Sequence, residues 1–314
     1  MLSRRRLLHG AAAAAGALAR GRSARAEVPD AGRLAMASAT SAFLGALDAR
    51  QRRRAVFAFG DAERMNWHYV PRRRDGLPFK DMAPAARTLA HGLMKTSLSA
   101  AGYAKAINVI ELEEVLRQIE ILGLSRDPEN YAFTIFGTPG ASAPWGWRVE
   151  GHHLSLNFTL VPGRPVVVTP AFMGANPATV RTGPRAGLRT LEHEQDLGLA
   201  LARSIDPGLR AGFVISAGSL GDVVSGPGRR ELFDKAPAGV PLAALGGDQR
   251  ALAMRLVETY AGNMRAEVAE QELRRVREAG IEKLHFAWAG PIDPSRAHYY
   301  RLHGPTVLIE YDNT

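Results

Sequence analysis

The feature that most constrains this chain is a change of hydrophobic period near residue 123. Upstream, over residues 33–122, apolar side chains such as Ile107, Ile110, Val115, Ile119 and Leu122 recur at three-to-five-residue spacing, which predicts helix with Gly123 as its stop. Downstream, residues 131–137, 145–150, 152–161 and 165–169 are short and rich in aromatic and β-branched side chains. Turn chemistry at Glu150-Gly151 and Pro162-Gly163 divides them, so they are expected to pair antiparallel. Residues 170–187 read as a loop, 188–204 as a helix and 213–216 as a strand, while the Gly- and Pro-rich residues 217–247 read as either a lid or a disordered loop. Asp248 is the expected N-cap of the next helix, and a helical pattern over 265–279 stops at Gly280. Residues 283–289, 298–302 and 306–311 read as closing strands, with a turn at His303-Gly304. No internal repeat is visible. The expected fold is α+β: N-terminal helices packed on a mostly antiparallel sheet built from the central and C-terminal strands, with a helical insertion over 188–279.

The first 26 residues read as an export signal and not as part of that fold. Ser3-Arg4-Arg5-Arg6 supplies a twin-arginine pair, residues 7–19 form an alanine-rich apolar stretch, and Ala24-Arg25-Ala26 offers a small-x-small cleavage site. The expected organisation is thus a signal over 1–26 and a single α+β domain over 27–314. The implied partner is the twin-arginine translocase, read through Arg4 and Arg5, and the implied location is the periplasm or the outside medium.

Composition then excludes several function classes. The chain carries +9, but six arginines and no acid lie in residues 1–26, which leaves +3 on the remainder. The remaining Arg runs, Arg52–Arg54 and Arg72–Arg74, are short and separated, so they read as solvated surface and a nucleic-acid partner is not expected. Beyond residue 26 no apolar run approaches the ~20 residues of a membrane helix. The absence of cysteine removes disulfides, thiolate zinc sites, iron–sulfur clusters, haem attachment through cysteine and a cysteine nucleophile. Nor is there a nucleotide-binding glycine fingerprint. A cofactor, if there is one, would be a divalent metal on His, Asp, Glu or Met.

Strand alternation selects the candidate site. In residues 152–161 it sets His152, Leu154, Leu156, Phe158 and Leu160 on one row and His153, Ser155, Asn157 and Thr159 on the other. The same rule opposes His285 to Leu284, Phe286 and Trp288, sets Glu310 and Asp312 against Val307, Ile309 and Tyr311, and sets Arg148 and Glu150 against Trp145, Trp147 and Val149. If these strands share a sheet, its polar face gathers His153, His285, Glu310, Asp312, Arg148 and Glu150. Imidazoles beside carboxylates suit acid–base catalysis, and His153 with His285 could also ligate a metal; a merely solvated sheet face is the plain alternative. Asn176 and Arg181, in the loop after the strands, could bind an anionic or hydroxyl-rich ligand, and Trp145 could stack on a sugar ring. Ala217-Gly218-Ser219-Leu220-Gly221 only loosely matches a serine-nucleophile elbow, because loop and not helix follows it. In Glu192-His193-Glu194 the zinc-protease spacing fails, which leaves a helix-surface cluster.

Four motifs carry a resemblance. Residues 145–158, running Trp145-Gly146-Trp147-Arg148-Val149-Glu150-Gly151-His152-His153 into the next strand, resemble a signature of the bacterial domain-of-unknown-function family 3500. So do the Pro170-Ala171-Phe172-Met173-Gly174-Ala175-Asn176-Pro177 segment, His285-Phe286-Ala287-Trp288-Ala289-Gly290, and Tyr299-Tyr300-Arg301-Leu302-His303-Gly304-Pro305 followed by Ile309-Glu310-Tyr311-Asp312-Asn313. The resemblance implies a secreted or periplasmic bacterial protein of unassigned activity. The family pattern continues with a His-x-His pair, a Trp-Arg-Asp stretch and a terminal helix, a segment that is missing from a chain ending at Thr314. The expected function is an exported hydrolase or lyase, with or without a metal, acting on a small polar or sugar-like substrate. His153 and His285 would be its acid–base or ligand groups, Glu310 and Asp312 its orienting carboxylates, and Asn176, Arg181, Trp145 and Arg148 its substrate contacts. The alternative is a non-catalytic periplasmic binding or structural protein.

Overall fold

A computed structural model describes residues 31–120, 126–229, 232–233 and 235–314. The export-signal residues 1–26 and the expected helix stop at Gly123 lie outside them. The long helical region resolves into α1 (Ala31–Gly45), α2 (Ala49–Ala55), α3 (Pro84–Ser97) and α4 (Ala100–Ile119), with the short strands β1 (Val56–Phe57) and β2 (Leu77–Pro78) between α2 and α3. Local chemistry sets the breaks. Asp48 and Gln51 close a capping box on α2, Pro84 opens α3, and the Ser99 hydroxyl accepts the Gly102 N–H at the start of α4. Strands β3 (Ala132–Phe136), β4 (Trp145–Gly151), β5 (Leu154–Leu160) and β6 (Val167–Met173) follow. After them come α5 (Glu192–Ser204), α6 (Arg210–Phe213), β7 (Val214–Ser216), β8 (Val240–Pro241), α7 (Gly247–Ala261), α8 (Ala266–Ala279), β9 (His285–Ala289), β10 (His298–His303) and β11 (Leu308–Asn313). The fold class is α+β as expected.

The strands form two sheets and not one, which corrects the expectation of a shared sheet. The first has the order β1-β3-β4-β5-β6 with β2 also on β3, and the second has the order β11-β10-β9-β7 with β8 also on β9. Alternation tells which face of a strand is apolar but not which strand lies beside it. Here β9–β11 satisfy their backbone groups within their own half.

The two halves repeat one another, a second correction to the sequence reading. In each, two helices lead into a short strand, a two-residue strand runs into a 3-10 turn, two further helices follow, and three antiparallel strands close the unit. The pairings coincide as well: β1 on β3 and β7 on β9 are parallel, and β2 on β3 and β8 on β9 are antiparallel. Register matches residue for residue, with Leu77 opposite Phe133 and Val240 opposite Phe286. Both β2 and β8 follow a glycine of positive φ, 102° at Gly76 and 99° at Gly239. A Cβ at either would lie 2.9 Å from the Phe133 carbonyl oxygen or 2.1 Å from that of Phe286, so only glycine admits this approach. The repeat escapes a scan of the sequence because few residues are shared. Gly-Leu-Pro-Phe at 76–79 faces Gly-Val-Pro-Leu at 239–242, and Leu89, Ala90 and Leu93 of α3 match Leu252, Ala253 and Leu256 of α7.

Each half has its own core. Trp147 stacks on Phe158 across β4–β5 at 4.3 Å, and at the matching register Tyr300 stacks on Tyr311 across β10–β11 at 5.1 Å. Around the first pair gather Met36, Phe43, Leu93 and Phe133; around the second, Leu201, Phe213, Leu256 and Phe286. The halves join where the corner between α3 and α4 meets the corner between α7 and α8. Ser99 N–H donates to the Asn263 carbonyl and Arg265 N–H to that of Ser97, both at 3.1 Å, a reciprocal pair as across a two-fold axis. One element breaks the repeat. The outer edge of β5 is covered by β6, whereas the outer edge of β11 has no partner strand among the described residues.

Candidate functional site

Arg148 and Glu150 do lie opposite Trp145, Trp147 and Val149 on β4, but that face is buried too. Residues 59–76 cross it and bring their own charges. Arg148 pairs with Glu63 and lies 3.4 Å from Glu150, which Arg74 approaches at 2.9 Å, and the Arg148 and Glu150 side chains are 1% and 2% exposed. Arg148 is therefore a structural ion pair under the covering segment and not a substrate contact. Trp145 is 1% exposed, with its indole N–H spent on the Gly140 carbonyl at 2.9 Å, and it has no face to offer a sugar.

The tight turn falls two residues later than expected. Gly151 pairs with Leu154, so His152 and His153 form the β4–β5 turn, and His153 takes φ 57°. A non-glycine residue in that region is uncommon, and here backbone hydrogen bonds hold it on both sides. Its N–H donates to the Tyr69 carbonyl and its own carbonyl accepts from Gly174 N–H, each at 2.7 Å. The two imidazoles, 3.9 Å apart, go to different places. His152 is buried against Glu113 and Arg126, while His153 lines a cleft of about 880 Å³ between the two halves. Burial, with lesser help from the neighbouring His152 and Arg126, pushes the His153 imidazole down to about 3, so it is neutral at physiological pH.

The cleft is walled by the outer strands of both sheets, β6 and β11. On the first-sheet side Tyr69 stacks on Phe172 at 4.1 Å, with Trp67 close by. The Tyr69 hydroxyl donates to the Asp222 carboxylate at 2.8 Å, which ties the loop of residues 217–229 to the other half. That loop is not a free lid. Glu310 on β11 accepts the Val224 and Ser225 N–H groups at 2.8 Å, the Ser225 hydroxyl, and the Tyr299 hydroxyl at 2.5 Å. A carboxylate so fully engaged is an anchor for the loop and has little left for a substrate. Asp312 differs: among the described residues its side chain accepts only the Ser219 hydroxyl, at 3.1 Å, and burial, then repulsion from Asp222 and Glu310, raises its pKa. Ser219 thus sits on a loop with no helix behind it, as its loose motif suggested.

Of the residues singled out from sequence, His153, Asn176, Glu310 and Asp312 line this one cleft. His285 and Arg181 do not. His285 lies on β9 opposite Pro241 and His303, with Nδ1 3.1 Å from the Lys283 carbonyl oxygen, and Arg181 is exposed on its loop. His153 and His285 therefore do not line a common cavity. Among the described residues no three His, Asp or Glu side chains are grouped as a metal ion requires. Glu194, read as part of a helix-surface cluster, is buried and paired with Lys105.

Sequence reasoning missed Tyr69, Phe172, Asp222 and His303. Only Trp67-His68-Tyr69, an aromatic run in an otherwise featureless segment, gave a signal. His303 belongs to β10 and not to a turn; it lines the cleft with Nδ1 buried and unpartnered among the described residues.

No helix among the described residues is long and apolar enough to cross a membrane. Comparison with curated proteins finds no match, and neither does comparison with solved structures. The pattern of one protein family does match, over residues 31–314, and the chain belongs to that family, described as a protein of unknown function (DUF3500).

Proposed function

We propose that the protein is an exported enzyme, a hydrolase or lyase, that acts on a small hydroxyl-rich, sugar-like substrate in the cleft between its two sheets. The observation that carries this reading is a convergence. A neutral imidazole (His153), a carboxyl group raised above its ordinary range (Asp312) and a stacked aromatic pair (Tyr69 and Phe172) line one cavity, although they come from distant parts of the chain. A volume of about 880 Å³ suits a ligand of drug or short-saccharide size. The aromatic pair offers an apolar wall for a sugar face. Neutral His153 both donates and accepts, as hydroxyl recognition needs, and with so low a pKa it positions substrate better than it abstracts protons. Asp312 is the group suited to protonating a leaving oxygen, because its environment holds the proton to higher pH, and Asp222, fixed by Tyr69 and Arg229, is the neighbouring negative charge. The arginine pair Arg4-Arg5 and the Ala24-Arg25-Ala26 site support a periplasmic or secreted location.

The test is a thermal-shift screen of the whole chain against mono- and oligosaccharides, followed by a product assay with each sugar that binds. Asp312→Asn should lower turnover about 10²-fold while leaving binding intact, and His153→Asn should weaken binding. Saturable binding without turnover by the unaltered protein would favour the non-catalytic reading, which the full engagement of Glu310 supports. No sugar-induced shift at all would overturn both readings.

A further inference from the structure

A second cavity, of about 510 Å³, lies on the other side of the His152–His153 turn. It is lined by both arginine runs that read as separate patches of surface in the sequence: Arg54 from α2, and Arg72, Arg73 and Arg74 from the segment over the first sheet. Lys80 adds a fifth cation. Three carboxylates share the lining, and each has a partner. Asp81 is 2.6 Å from Arg54, Asp127 is 3.4 Å from Lys80, and Glu113 is paired with His152. Arg74 is matched by Glu150 behind the wall. Arg72 and Arg73 remain. Arg72 is held by the Asn66 side-chain oxygen at 3.0 Å and the Arg73 carbonyl at 3.2 Å, and neither guanidinium pairs with a carboxylate among the described residues. The Asn130 carboxamide on the same wall likewise makes no side-chain hydrogen bond within the described residues and is available as a donor.

The internal repeat shows that the turn on one wall of this cavity does not need its Lys80–Asp81 pair to fold. The 3-10 turn that carries Lys80 and Asp81 in the first half carries Ala243 and Ala244 in the second, with the same geometry beneath it. We propose that this cavity is a binding site for a small oxyanion, the group shared by phosphate, sulfate and the carboxylate of a sugar acid, held by Arg72, Arg73 and Asn130. The Arg73 guanidinium fork, the Arg72 Nη1 side that its bonds to Asn66 and the Arg73 carbonyl leave over, and the Asn130 amide line one cavity, and together they supply N–H donors of the kind that oxyanions take. The site is separate from the cleft and stands whether or not the cleft binds sugar.

Isothermal titration calorimetry of the whole chain with inorganic phosphate, sulfate and glucuronate, each at constant ionic strength, tests the proposal. We expect saturable one-to-one binding of at least one of the three. Affinity should fall about tenfold or more in Arg72→Ala and in Arg73→Ala, and should be unchanged in Arg53→Ala, whose exposed side chain lies outside the cavity. Which anion binds best identifies the source of the oxyanion group. Far-ultraviolet circular dichroism confirms that the variants fold. Absence of saturable heat with all three anions would overturn the proposal, as would an equal loss in Arg53→Ala, which would mark a diffuse basic surface.

Discussion

Acid should destabilise this protein partly through one residue, His153, by an amount that its environment sets. Burial, with His152 and Arg126 nearby, lowers the folded-state imidazole from its ordinary 6.5 to about 3. Between those values the unfolded chain takes up a proton that the folded chain refuses, so stability present above pH 6.5 is lost as pH falls towards 3. From pH 7 to pH 5 this one group should cost about 2 kcal/mol. His68, His91, His298 and His303 are lowered by burial as well and act in the same direction, so the total pH dependence does not isolate the effect. A difference between two proteins does. Asn is the replacement to use, because it tolerates the φ of 57° at this turn and does not titrate. Urea unfolding of the unaltered protein and of His153→Asn at pH 7 and pH 5 should show the gap between them shifting by about 2 kcal/mol in favour of the variant at the lower pH. Equal losses in both proteins would mean that the folded state accepts the proton, and the neutral imidazole in the cleft would have to be abandoned.

Three further perturbations probe the scaffold. Gly102→Ala lies inside α4, where alanine ordinarily stabilises, yet its Cβ would fall 1.9 Å from the Asn263 carbonyl oxygen. A loss of about 1–3 kcal/mol in urea unfolding is therefore expected, and a gain would refute the close contact between the halves. Arg148→Met leaves Glu63 and Glu150 buried without their shared cation and should cost about 3–5 kcal/mol, measured in the same way. Glu310→Gln removes the charge that holds Val224 and Ser225, so limited proteolysis should cut within residues 217–229 about tenfold faster while the rest of the chain resists, and an unchanged rate would mean that the loop is held elsewhere.

Local features of the fold were legible because they depend on near neighbours in sequence. The apolar row Leu154, Leu156, Phe158 and Leu160 is buried as alternation required, and α8 ends before Gly280. Where the expectation slipped, a tertiary partner decided. Residues 170–173 look like loop because of Pro170, but they continue β6, whose Asn157-facing edge accepts a hydrogen bond at the Pro170 carbonyl and needs no N–H there. Residues 59–76 fall within the stretch expected to be helical but form no α-helix, because their role is to cover the polar face of β4, and a cover is recognised only once the covered face is known. The division into two sheets was hidden for the same reason: no property of a single strand names its neighbour.

The site was half legible, and the internal repeat explains which half. Positions that agree between the two units serve the fold: the glycines before β2 and β8, the α3 and α7 core residues, Phe133 with Phe286, and the aromatic pair across the β4–β5 and β10–β11 registers. Positions that differ are released from that duty. The turn His152-His153 corresponds to Pro305-Thr306, and Thr159, opposite Gly146, corresponds to Asp312, opposite Tyr299. Arg148 and Arg301 share one register, yet Arg148 is paired with Glu63 while Arg301, 5% exposed, makes no ion pair among the described residues. Alternation along a strand could nominate His153 and Asp312 as polar and available. It could not bring in Tyr69 or Asp222, because each comes from the covering loop of a different half, and only the joining of the halves sets them 2.8 Å apart. A duplicated scaffold whose shared residues build two cores, and whose divergent residues meet in the cleft between them, places its chemistry where a reading of one strand at a time cannot see it.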